Sequence, residues 1–187
     1  PDFFNAKTFK DSFPNDKAKI ITSIAMFYDL EAPMDFVRDI EQCLAEDGIW
    51  HFEQSYMPSM LRTNSYDTIC HEHLEFYSLK VVKSILENCG MKVIDVQMNS
   101  INGGSFAVTA CKKNTSYVSN KPVIDWLLKQ EDDMGLDNPK PYRDFEERVV
   151  KKICDQDYRN QECPINSIED AKREGKLASD FIPQVRV

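Results

Sequence analysis

The sequence predicts an α/β fold in which a mostly parallel sheet ends in an antiparallel pair and is followed by an acidic helical region. Three observations carry this. Two apolar runs, KIITSIAMFY at 19–28 and IWHFEQSY at 49–56, flank a stretch with helical periodicity, which is the pattern of a βαβ unit. Two further strand-like runs, KVIDVQMN and GSFAVTACKK, are separated only by SINGG, a link short enough for a hairpin. Beyond Lys113 the apolar runs give way to acidic amphipathic segments punctuated by Pro and Gly.

The first run is apolar nearly throughout and rich in Ile, so it reads as a strand buried on both faces. Phe36, Val37, Ile40, Cys43 and Leu44 then recur at helical spacing, predicting a helix over 33–46. Gly48 follows where a helix C-terminus favours a left-handed residue. Ile49, Trp50 and Phe52 open the second strand, reached through a right-handed crossover. Residues 56–77 form a long connection with Pro58 and one helical turn around Ser59–Leu61, and connections of that length inside a compact domain are usually functional.

Ser78 is placed to cap a helix with Leu79, Val82, Ile85 and Leu86 on one face, ending at Gly90. After the hairpin, 114–122 reads as a linker. VIDWLLKQEDDM, PYRDFEERVVKKICDQ and SIEDAKREGKLASDF are helix candidates whose acidic faces meet solvent, with Trp126, Leu127, Phe145 and Val149 among the packing residues.

The chain has 187 residues, 42% hydrophobic and 29% charged, with a formal net charge of −8. A basic surface is what phosphate neutralisation needs, so nucleic-acid binding is not expected. No run reaches the 18 or so apolar residues of a membrane span. The six cysteines, Cys43, Cys70, Cys89, Cys111, Cys154 and Cys163, form no C-x-x-C pair and read as reduced thiols in a cytoplasmic setting.

Residues 66–78, YDTICHEHLEFYS, hold two of the three histidines beside a cysteine, two glutamates and three aromatics. The spacing differs from the H-E-x-x-H of a helical zinc pair. In an extended segment His71 and His73 would point one way and Glu72 the other. A polar loop, an acid–base site, and a zinc site on Cys70, His71 and His73 are the three readings of such a cluster. Gly103 and Gly104 are turn residues of the hairpin or ligand contacts.

The strings ITSIAMFYDLEAP, FEQSYMPSMLRTNSYDTICHEHLEFYSL, CGMKVIDVQ and NGGSFAVTACKK resemble successive signatures of the S-adenosylmethionine-dependent C-methyltransferases that act on nucleotide-linked keto-deoxysugars. The resemblance covers about residues 1–113. It implies the C-terminal half of a class I (Rossmann-like) methyltransferase sheet with a reversed last strand. The cofactor site is then at the C-terminal edge of the parallel strands, at Ser23, Ile24, Ala25, Met26 and Tyr28. The sugar site lies in the long loop, with Tyr66, Tyr77, Asn102, Gly103, Gly104 and Ser105 as substrate contacts. An acidic chain must also set local positive charge against a nucleotide diphosphate, and of Arg62 and Lys80, which flank the motif, Arg62 is the expected contact. Among His71, Glu72 and His73, the resemblance makes His73 the base that removes a proton next to a ketone and Glu72 its orienting or substrate-contacting neighbour. No metal is implied for these residues.

This chain departs from the family's pattern at Cys70, where some members have tyrosine, and at Tyr28, where some have histidine. Tyr28, Tyr66 or Tyr77 is the expected substitute for stabilising an enolate. A complete member also begins with a zinc-binding cysteine module and a glycine-rich cofactor loop, neither of which is found in these residues. The expectation is therefore a partial methyltransferase domain at 1–113 and an acidic, mostly helical region at 114–187, binding S-adenosylmethionine poorly by itself. The first strand's free edge would pair with a second copy or a complementing chain, or be covered by the N-terminal segment or the acidic helices.

Overall fold

The computed structural model describes residues 3–157. A short helix α1 (Ala6–Ser12) precedes strand β1 (Ala18–Ile24), helix α2 (Pro33–Cys43) and strand β2 (Leu44–Ser55). Helix α3 (Met57–Thr63) lies in the long connection to α4 (Leu79–Asn88), and strands β3 (Met91–Asn99) and β4 (Ser105–Lys112) follow. Helices α5 (Lys121–Met134) and α6 (Lys140–Asp157) complete the described chain. The third acidic helix candidate lies outside the described residues.

The sheet order is β1-β2-β4-β3. β1 and β2 are parallel and joined through α2, while β4 is antiparallel to both β2 and β3. The expected βαβ unit and hairpin are both present, and the last strand is inserted in reverse beside β2. Ser78 caps α4, its Oγ accepting from the Val81 amide, and Gly90 ends that helix at φ 77°.

One face of the sheet carries the core. Trp50, Phe52, Phe106, Val108 and Ala110 from the central strands meet Val37 and Ile40 of α2, Leu79, Val82 and Leu86 of α4, and Ile124 and Leu127 of α5. A second cluster joins Met57, Met60 and Leu61 to Phe145 of α6, with Val149 against it. The segment before α5 is tied to the sheet rather than loose: Ser119 Oγ donates to the Val93 carbonyl at 2.6 Å and the Asn120 amide to Ile94 at 2.7 Å.

Three expectations change. The first strand stops at Ile24 and is buried on one side only: Ile20 and Ile24 are 65% and 57% exposed, while Ile21 packs on the core and Ser23 accepts from Trp50 Nε1. Gly48 is not a left-handed helix terminator. The helix ends at Cys43 and Gly48 lies within β2, where an added Cβ would come 2.7 Å from the Ala18 carbonyl, so close strand approach is what requires it. Trp126 is 58% exposed, because the buried stripe of α5 runs through Ile124, Leu127 and Glu131. Among the described residues no helix is long and apolar enough to cross a membrane.

Glu131 is 2% exposed and joins three elements. Its Oε1 accepts from the Tyr56 hydroxyl at 2.7 Å and the Leu79 amide at 2.6 Å, and its Oε2 accepts from the Lys80 amide at 2.9 Å. Replacing Glu131 by Gln turns one acceptor into a donor facing donors. In urea titrations Glu131→Gln is expected to lower stability by roughly 2–4 kcal/mol, the range for stranding buried partners. A loss below about 0.5 kcal/mol would mean that the carboxylate is not what holds these elements.

The outer edge of β1 has no partner strand among the described residues. α1 packs on α2, with Phe4 edge-on to Phe36, and α5 and α6 lie against α4 and α3. Exposed β edges with apolar side chains template pairing. The 187-residue chain is therefore expected to self-associate with concentration in sedimentation experiments, and Ile20→Lys with Ile24→Lys to suppress this. A chain that stays monomeric across the whole range would refute it.

Candidate functional site

The connection from β2 to α4 folds as α3, a left-handed Asn64 at φ 56°, and a 3₁₀ turn at Tyr66–Thr68. The histidine motif then makes a turn, the His73 amide donating to the Cys70 carbonyl at 3.2 Å. The next two amides, of Leu74 and Glu75, both donate to the Tyr28 carbonyl at 3.0 Å. These bonds fasten the motif to the end of β1. They also overturn the extended reading, since a turn sends the two imidazoles in different directions.

His73 faces inward. Its Nδ1 lies 2.7 Å from the Thr68 carbonyl oxygen, which can only accept, so Nδ1 carries the proton and Nε2 is left as the acceptor nitrogen. The ring packs on Tyr28, with centroids 4.3 Å apart. Tyr28 is buried, and burial pushes its phenol up, with Asp29 and Cys70 adding to the effect. Asp29 also belongs to this cluster. Desolvation raises its carboxyl, His73 opposes that rise and Glu72 reinforces it. The sequence reading passed over Asp29, and its only signal was an acid directly after an apolar strand run.

His71 and Glu72 are brought to the surface instead, with side chains 93% and 75% exposed and 3.9 Å between Nε2 and Oε1. Among the described residues no group of three or more His, Cys, Asp or Glu is placed to hold a metal ion, so the zinc reading of Cys70, His71 and His73 finds no ligand set.

The other expected substrate residues are scattered around this loop. Tyr77 is buried beside Phe27, ring centroids 5.2 Å apart, and burial raises its unpartnered phenol. Tyr66 packs on the second cluster under Lys152, whose Nζ is 5.4 Å from the ring centre. Arg62 is exposed on α3. Asn102, Gly103 and Gly104 have φ of 51°, 77° and 124° in the hairpin link, and Ser105 Oγ donates to the Ile101 carbonyl at 3.0 Å. A Cβ on Gly103 would meet Ser65 Oγ at 2.0 Å and one on Gly104 would meet Ser59 Cβ at 2.5 Å. Close packing against the site loop accounts for both glycines.

At the end of β1, Ser23 is engaged by Trp50, Ile24 is exposed, and Met26 leans on the core. Ala25 holds φ 52° while its amide donates to Glu53 at 2.8 Å. A non-glycine residue in that conformation is strained by roughly 1 kcal/mol or more, and such strain concentrates at functional sites.

Residues 1–96 match the family model of the methyltransferase domain, and residues 100–177 match that of the C-methyltransferase C-terminal domain. The C-methyltransferase NovU of Streptomyces niveus is 30% identical over 122 residues, 64% of this chain and 29% of that protein, so the chain spans under a third of that relative's length. Among solved structures, the mitomycin 7-O-methyltransferase MmcR gives a TM-score of 0.43 at 12% identity over 54% of this chain and 32% of its own. An O-methyltransferase family protein from Burkholderia thailandensis gives 0.44 at 12% identity over 62% and 35%. These two likenesses are too slight to bear on the site. The first family match alone takes in more than half of the sequence, and the chain belongs to the methyltransferase domain family.

Proposed function

We propose that this chain carries the proton-abstracting half of a C-methyltransferase site, acting on a carbon next to the ketone of a nucleotide-linked deoxysugar. The observation that carries the reading is the Thr68–His73 hydrogen bond, which leaves Nε2 of a half-buried imidazole free to take a proton. His73 removes the α-proton, and the resulting imidazolium keeps its Nδ1–H on the Thr68 carbonyl. Tyr28, in ring contact with His73 and with a phenol that burial keeps neutral, is the candidate donor to the developing enolate oxygen. When bound, S-adenosylmethionine would supply an electrophilic methyl group to the deprotonated carbon and leave as S-adenosylhomocysteine.

The backbone of Ile24 to Met26, with the left-handed Ala25, fits one wall of a cofactor site at the end of β1. No glycine stands between Ile24 and Pro33, so these residues offer a wall and no glycine cradle. Four described cysteines are unpaired thiols, in keeping with a cytoplasmic setting.

Two measurements test this. Nitrogen-15 spectra of the imidazoles should show His73 as the Nδ1–H tautomer, and an Nε2–H tautomer would remove the base from its post. In a complete protein, His73→Ala should lower methyl transfer to a nucleotide-linked 4-keto-sugar by about a hundredfold or more, the scale of a lost general base, with cofactor affinity unchanged. Full turnover in that variant refutes the assignment. A mass gain of one methyl on the sugar is the readout. If the sugar binds without any methyl gain in the unmutated protein, a sugar-binding module replaces the enzyme.

A further inference from the structure

A cavity of about 450 Å3 opens between α3 and the start of α6, with Arg62, Lys140 and Arg148 in its wall and Asp144 as the one acid. Lys140 and Asp144 pair with each other at 2.5 Å. Arg148 is spent on neutral partners, its Nε donating to Asn64 Oδ1 at 2.8 Å and its Nη2 to the Leu61 carbonyl at 2.7 Å. Arg62 makes no hydrogen bond or ion pair among the described residues. Among the described residues, two guanidinium charges therefore share one concave surface without an ion pair to a carboxylate for either, on a chain whose formal charge is −8.

Capping of the α3 C-terminus explains Arg148, which takes the Leu61 carbonyl and the side chain of Asn64, the residue that ends the helix. Arg62 stands in the last turn of the same helix, where its charge suits the helix dipole, but its donors stay unused among the described residues. A guanidinium has five N–H donors; toward the described residues Arg148 uses two and Arg62 none. Planar arginine forks match phosphate oxygens in pairs, which a lysine cannot do.

We infer that this cavity is a diphosphate subsite, in which Arg62 and Arg148 hold the two phosphates of the nucleotide-linked substrate and Lys140 adds positive potential at the rim. The inference rests on the proposed methyl-transfer reading for its substrate class. It enlists α6, which the sequence placed in a solvated helical region. Because α3 belongs to the same connection as His73, a phosphate held there braces the loop that carries the base, so binding energy from the non-reacting end of the substrate serves orientation at the reacting end.

Calorimetry with inorganic pyrophosphate, and separately with a sugar-free nucleoside diphosphate, tests this on the 187-residue chain without any methyl transfer. One pyrophosphate should bind per chain and weaken as salt rises. Arg62→Ala should lower the affinity about tenfold and Arg62→Glu abolish binding, with circular dichroism unchanged because Arg62 is exposed. Arg148→Lys, which keeps the charge and loses the fork, should fall between wild type and Arg62→Ala. The readout involves no methyl transfer, so a failed methyl-transfer assay leaves this result standing. No pyrophosphate binding, or binding unaltered in both Arg62 variants, overturns the subsite.

Discussion

A single buried carboxylate closes the loop on which the site is built. Glu131 reaches from α5 to the Tyr56 hydroxyl at the start of the β2–α4 connection and to the Leu79 and Lys80 amides at its end. Burying a carboxylate costs several kcal/mol by itself. Here three donors meet it, two of them the otherwise unpartnered first amides of α4, where the helix dipole also favours negative charge. Burial, reinforced by this carboxylate, drives the Tyr56 phenol far upward, so that group remains a donor at any ordinary pH. Pinning both ends of residues 56–78 reduces the conformations open to the loop, which is the precondition for holding an imidazole in one tautomer.

Within that frame the remaining contacts follow from backbone rather than from side-chain chemistry. The Tyr28 carbonyl takes two amides of the motif, the Thr68 carbonyl takes His73, and the hairpin link fits against Ser59 and Ser65 through two glycines. Three non-glycine residues with positive φ lie around the same loop: Ala25 where β1 ends, Asn64 where α3 ends, and Asn102 in the link. Asparagine tolerates that conformation and alanine does not, so most of the strain sits at Ala25, beside the cluster of Tyr28, Asp29 and His73. Strain persists only where surrounding contacts over-determine it, and the clasp at Glu131 with the two bonds to Tyr28 supplies that redundancy.

The sequence was most legible where one local rule decides. Helical spacing located α2 and α4, Ser78 announced its cap, Gly90 its terminus, and SINGG the hairpin. What failed depended on distant partners. The apolar composition of β1 suggested two buried faces, yet composition carries no information about what covers a strand, and Ile20 and Ile24 are exposed. Alternation put His71 and His73 on one side because the turn is set by the His73 amide on Cys70 and the imidazole on Thr68, neither visible in spacing. Glu131 stands in an EDD run that looks like a solvated face, although its helical phase matches Ile124 and Leu127. Trp126 was expected to pack, but its helical phase lies roughly a third of a turn off the stripe of Ile124, Leu127 and Glu131.

Two groups in the main core run against packing economy. The Gln54 side-chain amide, near the end of β2, and the Tyr77 phenol, near the end of the loop, are buried with no hydrogen-bond partner among the described residues. Leaving such groups unmet costs roughly 1–3 kcal/mol each, where a leucine or phenylalanine of similar shape would cost little. Tyr77 packs at a tilt on Phe27, one residue before Tyr28, and its carbonyl takes the Met57 amide just beyond Tyr56, so its cost falls on the same junction that the clasp stabilises. The protein thus concentrates strain and unmet polarity where β1, β2 and the loop converge, and sets its strongest buried hydrogen bonds immediately behind that point. A region optimised for stability alone would have neither, whereas one that must present polar groups to a bound molecule needs both.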